Sequence, residues 1–106
     1  MNYLGNAFSL NMLDGFPVEL EIEELSRPEA ASFAANARSV VGHADTAAVF
    51  ESVLGVPVAT NRATLMLKED DFLLVGQYSG PRLPEGATVL PEGASIRWLL
   101  VTQLPQ

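Results

Sequence analysis

The chain has 106 residues, 48% of them hydrophobic, enough to build one domain with its own core and too few for two. Thirteen acids against six bases give a formal net charge of -7, which argues against the broad basic face that displaces counterions from a long polyanion. There is no cysteine and one histidine, His43, so disulfides, thiolate metal sites and multi-histidine zinc sites within one chain are excluded.

Tyr3, Leu4, Ala7 and Phe8 predict a short strand within residues 2–8. Without a basic flank or a long apolar core, this start does not read as a signal peptide. No stretch approaches the length of a membrane span, so a soluble cytoplasmic protein is expected. Asn11, Asp14, Gly15 and Pro17 mark a loop. From Val18, the apolar Leu20 and Ile22 alternate with Glu19, Glu21 and Glu23, the period of a strand with one buried and one wet face. Ser26, Pro28 and Glu29 ahead of an alanine-rich run predict a short helix.

A short apolar segment, 39–42, then delivers the chain to His43 at the front of a second helix, which Gly55 and Pro57 close. Ala63, Leu65 and Leu67 alternate with Arg62, Thr64 and Met66, which predicts a strand. The acidic turn 69–71 would join it to an apolar strand over 72–78 as an antiparallel hairpin. Residues 79–95 hold too many Gly and Pro for a regular element, and the apolar run from Ile96 to Val101 predicts an interior strand. The expectation is a single α/β or α+β domain, 1–106, with about five strands in a mixed sheet and two helices.

Five of the six bases are arginines: Arg27, Arg38, Arg62, Arg82 and Arg97. The planar guanidinium fork matches phosphate oxygens in pairs. Arg62 at a predicted strand mouth and Arg82 in a Gly80-Pro81-Arg82-Leu83-Pro84 loop stand where functional side chains concentrate; simple solvation is the alternative for each. His43 reads either as a local helix-start residue or as an acid or base, since imidazole titrates near neutrality. Asn6, Ser9 and Asn11 form a polar cluster that turn and cap formation also explain. The acids at 19–24 and 69–71 lack metal-loop spacing and read as solvated faces or turns.

Taken in order, NAFSLNML, VGHADTA, NRATLML and GQYSGPRLPEG resemble the corresponding segments of the small viral and bacterial anti-CRISPR ring nucleases, over nearly the whole chain. The resemblance implies an enzyme, without metal or other cofactor, that degrades cyclic tetraadenylate, the second messenger of type III CRISPR immunity. It also implies a homodimer with the ring held across the two-fold axis. By position, ligand contacts would fall on Asn6, Ser9, Asn11, Arg62, Gln77 and Arg82; His43 would be the catalytic histidine and Glu85 an acidic site residue, with Arg82 assisting the chemistry. No partnership with long nucleic acid or with a membrane is expected.

That chemistry suits the inventory. A ribose 2'-hydroxyl attacks the adjacent phosphorus in line, the 5'-oxygen leaves, and a 2',3'-cyclic phosphate remains. Positioning, charge neutralisation by arginine and protonation of the leaving oxygen by His43 would suffice. The competing expectation is a non-enzymatic dimer that sequesters a cyclic nucleotide, or a small viral regulator. Sequestration would need Arg62 and Arg82 and leave His43 dispensable.

Overall fold

In the computed structural model, which describes residues 1–105, the apolar runs assemble one five-stranded mixed sheet. Its strands are β1 (Asn2–Gly5), β2 (Leu20–Leu25), β3 (Arg38–Ser39), β4 (Phe72–Ser79) and β5 (Ser95–Gln103), in the spatial order β2-β5-β4-β1-β3. β1 runs parallel to both β3 and β4, whereas β5 is antiparallel to β4 and to β2. Two helices, α1 (Arg27–Ala34) and α2 (Ala44–Leu54), and a 3-10 turn over Leu10–Met12 complete the fold.

The helix starts follow from local chemistry. Ser26 caps α1, its hydroxyl accepting from the Glu29 amide at 3.3 Å while the Glu29 carboxylate accepts from the Ser26 amide at 2.9 Å. This reciprocal box satisfies two donors that a helix start leaves unpaired. Pro28, which has no amide hydrogen to place, sits in the first turn. α2 ends at Gly55, whose φ of 72° is the left-handed cap conformation that glycine adopts without a Cβ penalty.

The sheet is covered on both faces. Leu4, Leu74 and Trp98 pack with Ala30 and Ala34 of α1 and with Ala47, Phe50 and Leu54 of α2. On the other face Leu73, Val75 and Val101 pack with Leu65 and Leu67, and Phe8 and Met12 lie against them. β4 takes part in both clusters, which is why Leu73 and Leu74 are fully buried in succession. Burying a side chain of that size contributes about 1.5–3 kcal/mol. The Phe50 and Trp98 rings meet edge to face, with centroids 5.1 Å apart, directly over Gly76. A Cβ there would stand 2.4 Å from the Phe50 ring.

Two expectations are corrected. Residues 62–67 form no strand, and the hairpin is absent: β4 pairs with β1 and β5. The alternation was nevertheless real, since Leu65 and Leu67 are buried while Arg62, Thr64 and Met66 are exposed. The segment is extended cover for a sheet face, held at its ends by the Asn61 amide on the Val41 carbonyl and the Leu67 amide on the Met12 carbonyl, both at 2.7 Å. The fifth strand is instead the two-residue β3. Second, Ile22 is 58% exposed, because β2 is an edge strand and the cover over the second face reaches Leu20 but not Ile22.

Candidate functional site

Three parallel strands, β3, β1 and β4, point their carboxyl ends to the same edge of the sheet. β1 lies between the other two, although the chain runs from it to β2 at the far edge of the sheet and returns through α1 to β3. In open α/β sheets, ligand crevices form outside the carboxyl ends of the strands. Asn6 follows β1, Gln77 lies near the end of β4, the segment to His43 follows β3, and the loop with Arg82 and Glu85 follows β4. Six of the eight residues singled out from the sequence therefore emerge at or beside this edge, Arg62 included, as its contacts below show.

His43 is the N-cap residue of α2, with extended backbone (φ -121°, ψ 130°) and no capping hydrogen bond from its side chain. Its ring is exposed. A helix start without a side-chain cap leaves amide hydrogens unsatisfied and carries the positive end of the helix dipole. Arg62 is brought next to it by a lacing of short bonds. The Ser39 hydroxyl donates to the Ala59 carbonyl at 2.6 Å, the Asn61 side-chain amide donates to the Ser39 carbonyl at 2.8 Å, and the Asn61 amide holds Val41. With the chain so held, a Cβ on Gly42 would lie 3.7 Å from the Arg62 Cα and Cβ. Arg62 thus flanks the residue before His43.

The loop after β4 returns to the same helix start. Its first turn is fixed by the Tyr78 hydroxyl donating to the Pro81 carbonyl. A second turn places the Ala87 amide on the Pro84 carbonyl at 3.1 Å. Between these, the Gly86 amide donates to Asp45 Oδ1 at 3.1 Å, across 41 residues of sequence. The loop and helix together line an open cleft of about 510 Å³, with Asp45, Arg82, Leu83, Pro84 and Glu85 in its wall. A hollow of similar volume at the opposite end of α2 has Glu51 as its one ionisable lining residue, and that carboxylate already accepts from the Val58 amide.

Arg82, Glu85, Arg62 and His43 are all exposed. The cleft wall is not uniformly basic, since Asp45 and Glu85 oppose Arg82. Among the described residues no group of three or more His, Asp or Glu is placed to hold a metal ion, and no helix is long and apolar enough to cross a membrane.

Not every expected residue converges. The Ser9 hydroxyl caps the 3-10 turn, accepting from the Asn11 amide at 3.2 Å, and among the described residues no hydrogen bond joins Ser9 or Asn11 to the cleft. Gln77 is exposed and stands opposite Arg97 in the β4–β5 register; Arg97 itself is paired with Glu24 at 2.9 Å. Asp45 and Gly86 are the residues that sequence reasoning missed. An acid in a first helical turn is ordinary dipole complementation, and only a contact between distant segments gives it a second partner.

No curated protein matches the chain. Among solved structures, B116 of Sulfolobus turreted icosahedral virus is similar to it with a TM-score of 0.79 at 24% identity, over 95% of this chain and 97% of that one. At that identity the likeness is one of fold, and it covers the whole architecture described above. The STIV B116-like family model matches residues 2–93, from the first strand through the loop that carries Arg82 and Glu85, and the chain belongs to the STIV B116-like family.

Proposed function

We propose that this protein is a metal-independent ring nuclease that binds cyclic tetraadenylate as a homodimer in the cytoplasm of a prokaryotic cell and opens the ring. The observation that carries this reading is the docking of the Arg82–Glu85 loop onto the start of the helix that His43 caps, beyond the carboxyl ends of three parallel strands. That arrangement puts Arg82 and Glu85 in one cleft wall with Asp45 of the first turn of α2, while Arg62 lies against Gly42, the residue before His43.

In this reading Arg62 and Arg82 contact phosphate oxygens, with the unpaired amides at the α2 start adding favourable partial charge. Asp45 lines the same cleft, and the Gly86 amide on its Oδ1 together with the positive end of the α2 dipole offsets part of its repulsion. The ribose 2'-hydroxyl attacks phosphorus while His43 protonates the departing 5'-oxygen, leaving a 2',3'-cyclic phosphate. Glu85 assists by orienting the imidazole or the hydroxyl. Asn6 and Gln77, at neighbouring strand ends, supply neutral hydrogen bonds to ribose or base, and Ser9 and Asn11 complete the ligand contacts from the 3-10 turn. A symmetric pair of chains would present two copies of each arginine to a two-fold-symmetric ring.

The test is incubation of radiolabelled cyclic tetraadenylate with excess protein in the presence of EDTA, followed by separation of products. Linear products ending in a 2',3'-cyclic phosphate are expected, and His43→Ala should slow their formation by about 10²- to 10⁴-fold while leaving ring binding intact. A ring bound but uncut by the wild type would instead identify a sequestering protein. Cleavage by His43→Ala at the wild-type rate would remove the role assigned to the imidazole.

A further inference from the structure

Among the described residues, the Gly86 amide on Asp45 Oδ1 is the one hydrogen bond that joins residues 82–93 to another part of the fold. The other bonds of this stretch are internal turns: Ala87 returns to Pro84, and Ala94 to Pro91. Arg82, Pro84, Glu85 and Gly86 at the tip are all exposed, whereas Leu83, Ala87 and Leu90 are half-buried. At the base of the loop, Tyr78 bonds Pro81, and Gly80 lies so close to Ala94 that a Cβ would stand 2.8 Å from the Ala94 backbone. The two ends of the loop are thus clamped together, while its exposed tip is tied to the rest of the fold by a single hydrogen bond.

We infer that Asp45 is a positioning residue, holding the loop tip through the Gly86 amide so that Arg82 and Glu85 face His43. Three features support this assignment. Asp45 lies in the first turn of α2, the turn that His43 precedes as N-cap, and it lines the same cleft as Arg82 and Glu85. Gly86 is one residue beyond Glu85, so its amide sets where that carboxylate stands. Gly86 also has φ of 80°, a conformation that favours glycine, and with it the amide can turn toward Asp45. The Asp45 side chain supplies an oxygen acceptor to the Gly86 amide at 3.1 Å, a role that the amide oxygen of Asn can also fill.

This inference rests on the ring-nuclease reading for its kinetic consequence and not for its structural one, so two readouts separate them. The first is amide hydrogen exchange at Gly86 by NMR, which reads the bond directly. Asp45→Ala should accelerate exchange at Gly86 while leaving the amides of β4 and β5 protected, and Asp45→Asn, which keeps an acceptor oxygen, should restore most of the protection. The second is single-turnover cleavage of cyclic tetraadenylate. Asp45→Ala should lower the rate by about 10- to 100-fold, the cost of a displaced catalytic group, with a smaller change in ring affinity, and Asp45→Asn should recover much of the rate. Unchanged Gly86 exchange in Asp45→Ala overturns the inference, as does faster exchange with an unaltered cleavage rate. If the wild type leaves the ring intact while Gly86 exchange responds as expected, the loop anchor stands and the nuclease reading falls.

Discussion

Gly76 shows how one residue type answers to its surroundings. It lies within a fully buried stretch of β4, where glycine is ordinarily a loss because it has no side chain to pack. Here the missing side chain is the point: the Phe50 and Trp98 rings occupy the space where a Cβ would be. Gly76→Ala should therefore destabilise the protein by about 1–3 kcal/mol, since aromatic rings in a close-packed core have little room to retreat. Urea unfolding monitored by Trp98 fluorescence measures it, and an unchanged midpoint would show that the rings yield freely. The glycine itself is plain in the sequence; its role is not, because Phe50 and Trp98 lie 26 and 22 residues away on either side.

Among the elements, α1 is the one most completely specified by its own residues. Its box joins Ser26 and Glu29, and the Ser26 amide, with its hydroxyl, holds the Glu29 carboxyl below its ordinary value of 4.5. A carboxyl lowered in the folded state means that the unfolded chain binds more protons around and below that value. Its contribution is thus present above pH 4.5 and is lost as the pH falls through the folded value. The stability difference between wild type and Glu29→Gln, which keeps the box but cannot ionise, should be visible at pH 7 and vanish near pH 2. Denaturation curves at both pH values check the sign. Ser26→Ala should cost about 1 kcal/mol at neutral pH by removing the cap. Segment 62–67 is the opposite case. Its alternation was legible, but alternation reports only which side chains are buried, and an extended cover strand buries every second residue as a sheet strand does. β3, two residues long, carries no periodic signal at all and exists because Leu4 and Val40 bring it beside β1.

For the whole molecule, the net charge of -7 is distributed unevenly. Glu19, Glu21, Glu23 and Glu24 lie on or beside β2, at the far edge of the sheet from β3 and the Gly42–Arg62 contact. Glu24 is paired with Arg97, whose guanidinium lowers the Glu24 carboxyl. This run of acids therefore lies away from the candidate cleft, whose own acids are Asp45 and Glu85. A single copy of that cleft is open and holds acids as well as arginine, and the proposed ring-binding reading therefore calls for a second chain. Sedimentation equilibrium should give about twice the 11.4 kDa of one chain, with the dimer strengthened by cyclic tetraadenylate. A monomer at all concentrations with the ring bound would remove the shared-site reading.

Local chemistry set the helix starts at Ser26 and His43, the stop at Gly55 and the apolar runs of β4 and β5, all of them legible in the chain, whereas His43, Arg62, Arg82 and Glu85 were legible there only as candidates. Tertiary structure alone decided which strand neighbours which, that 62–67 covers a face and does not enter the sheet, and that Asp45 meets Gly86. Caps, turns and apolar periods are settled among residues a few positions apart, whereas β1 meets β4 across 70 residues, β2 meets β5 across as many as 83, and the loop meets α2 across 41, distances that no local pattern records.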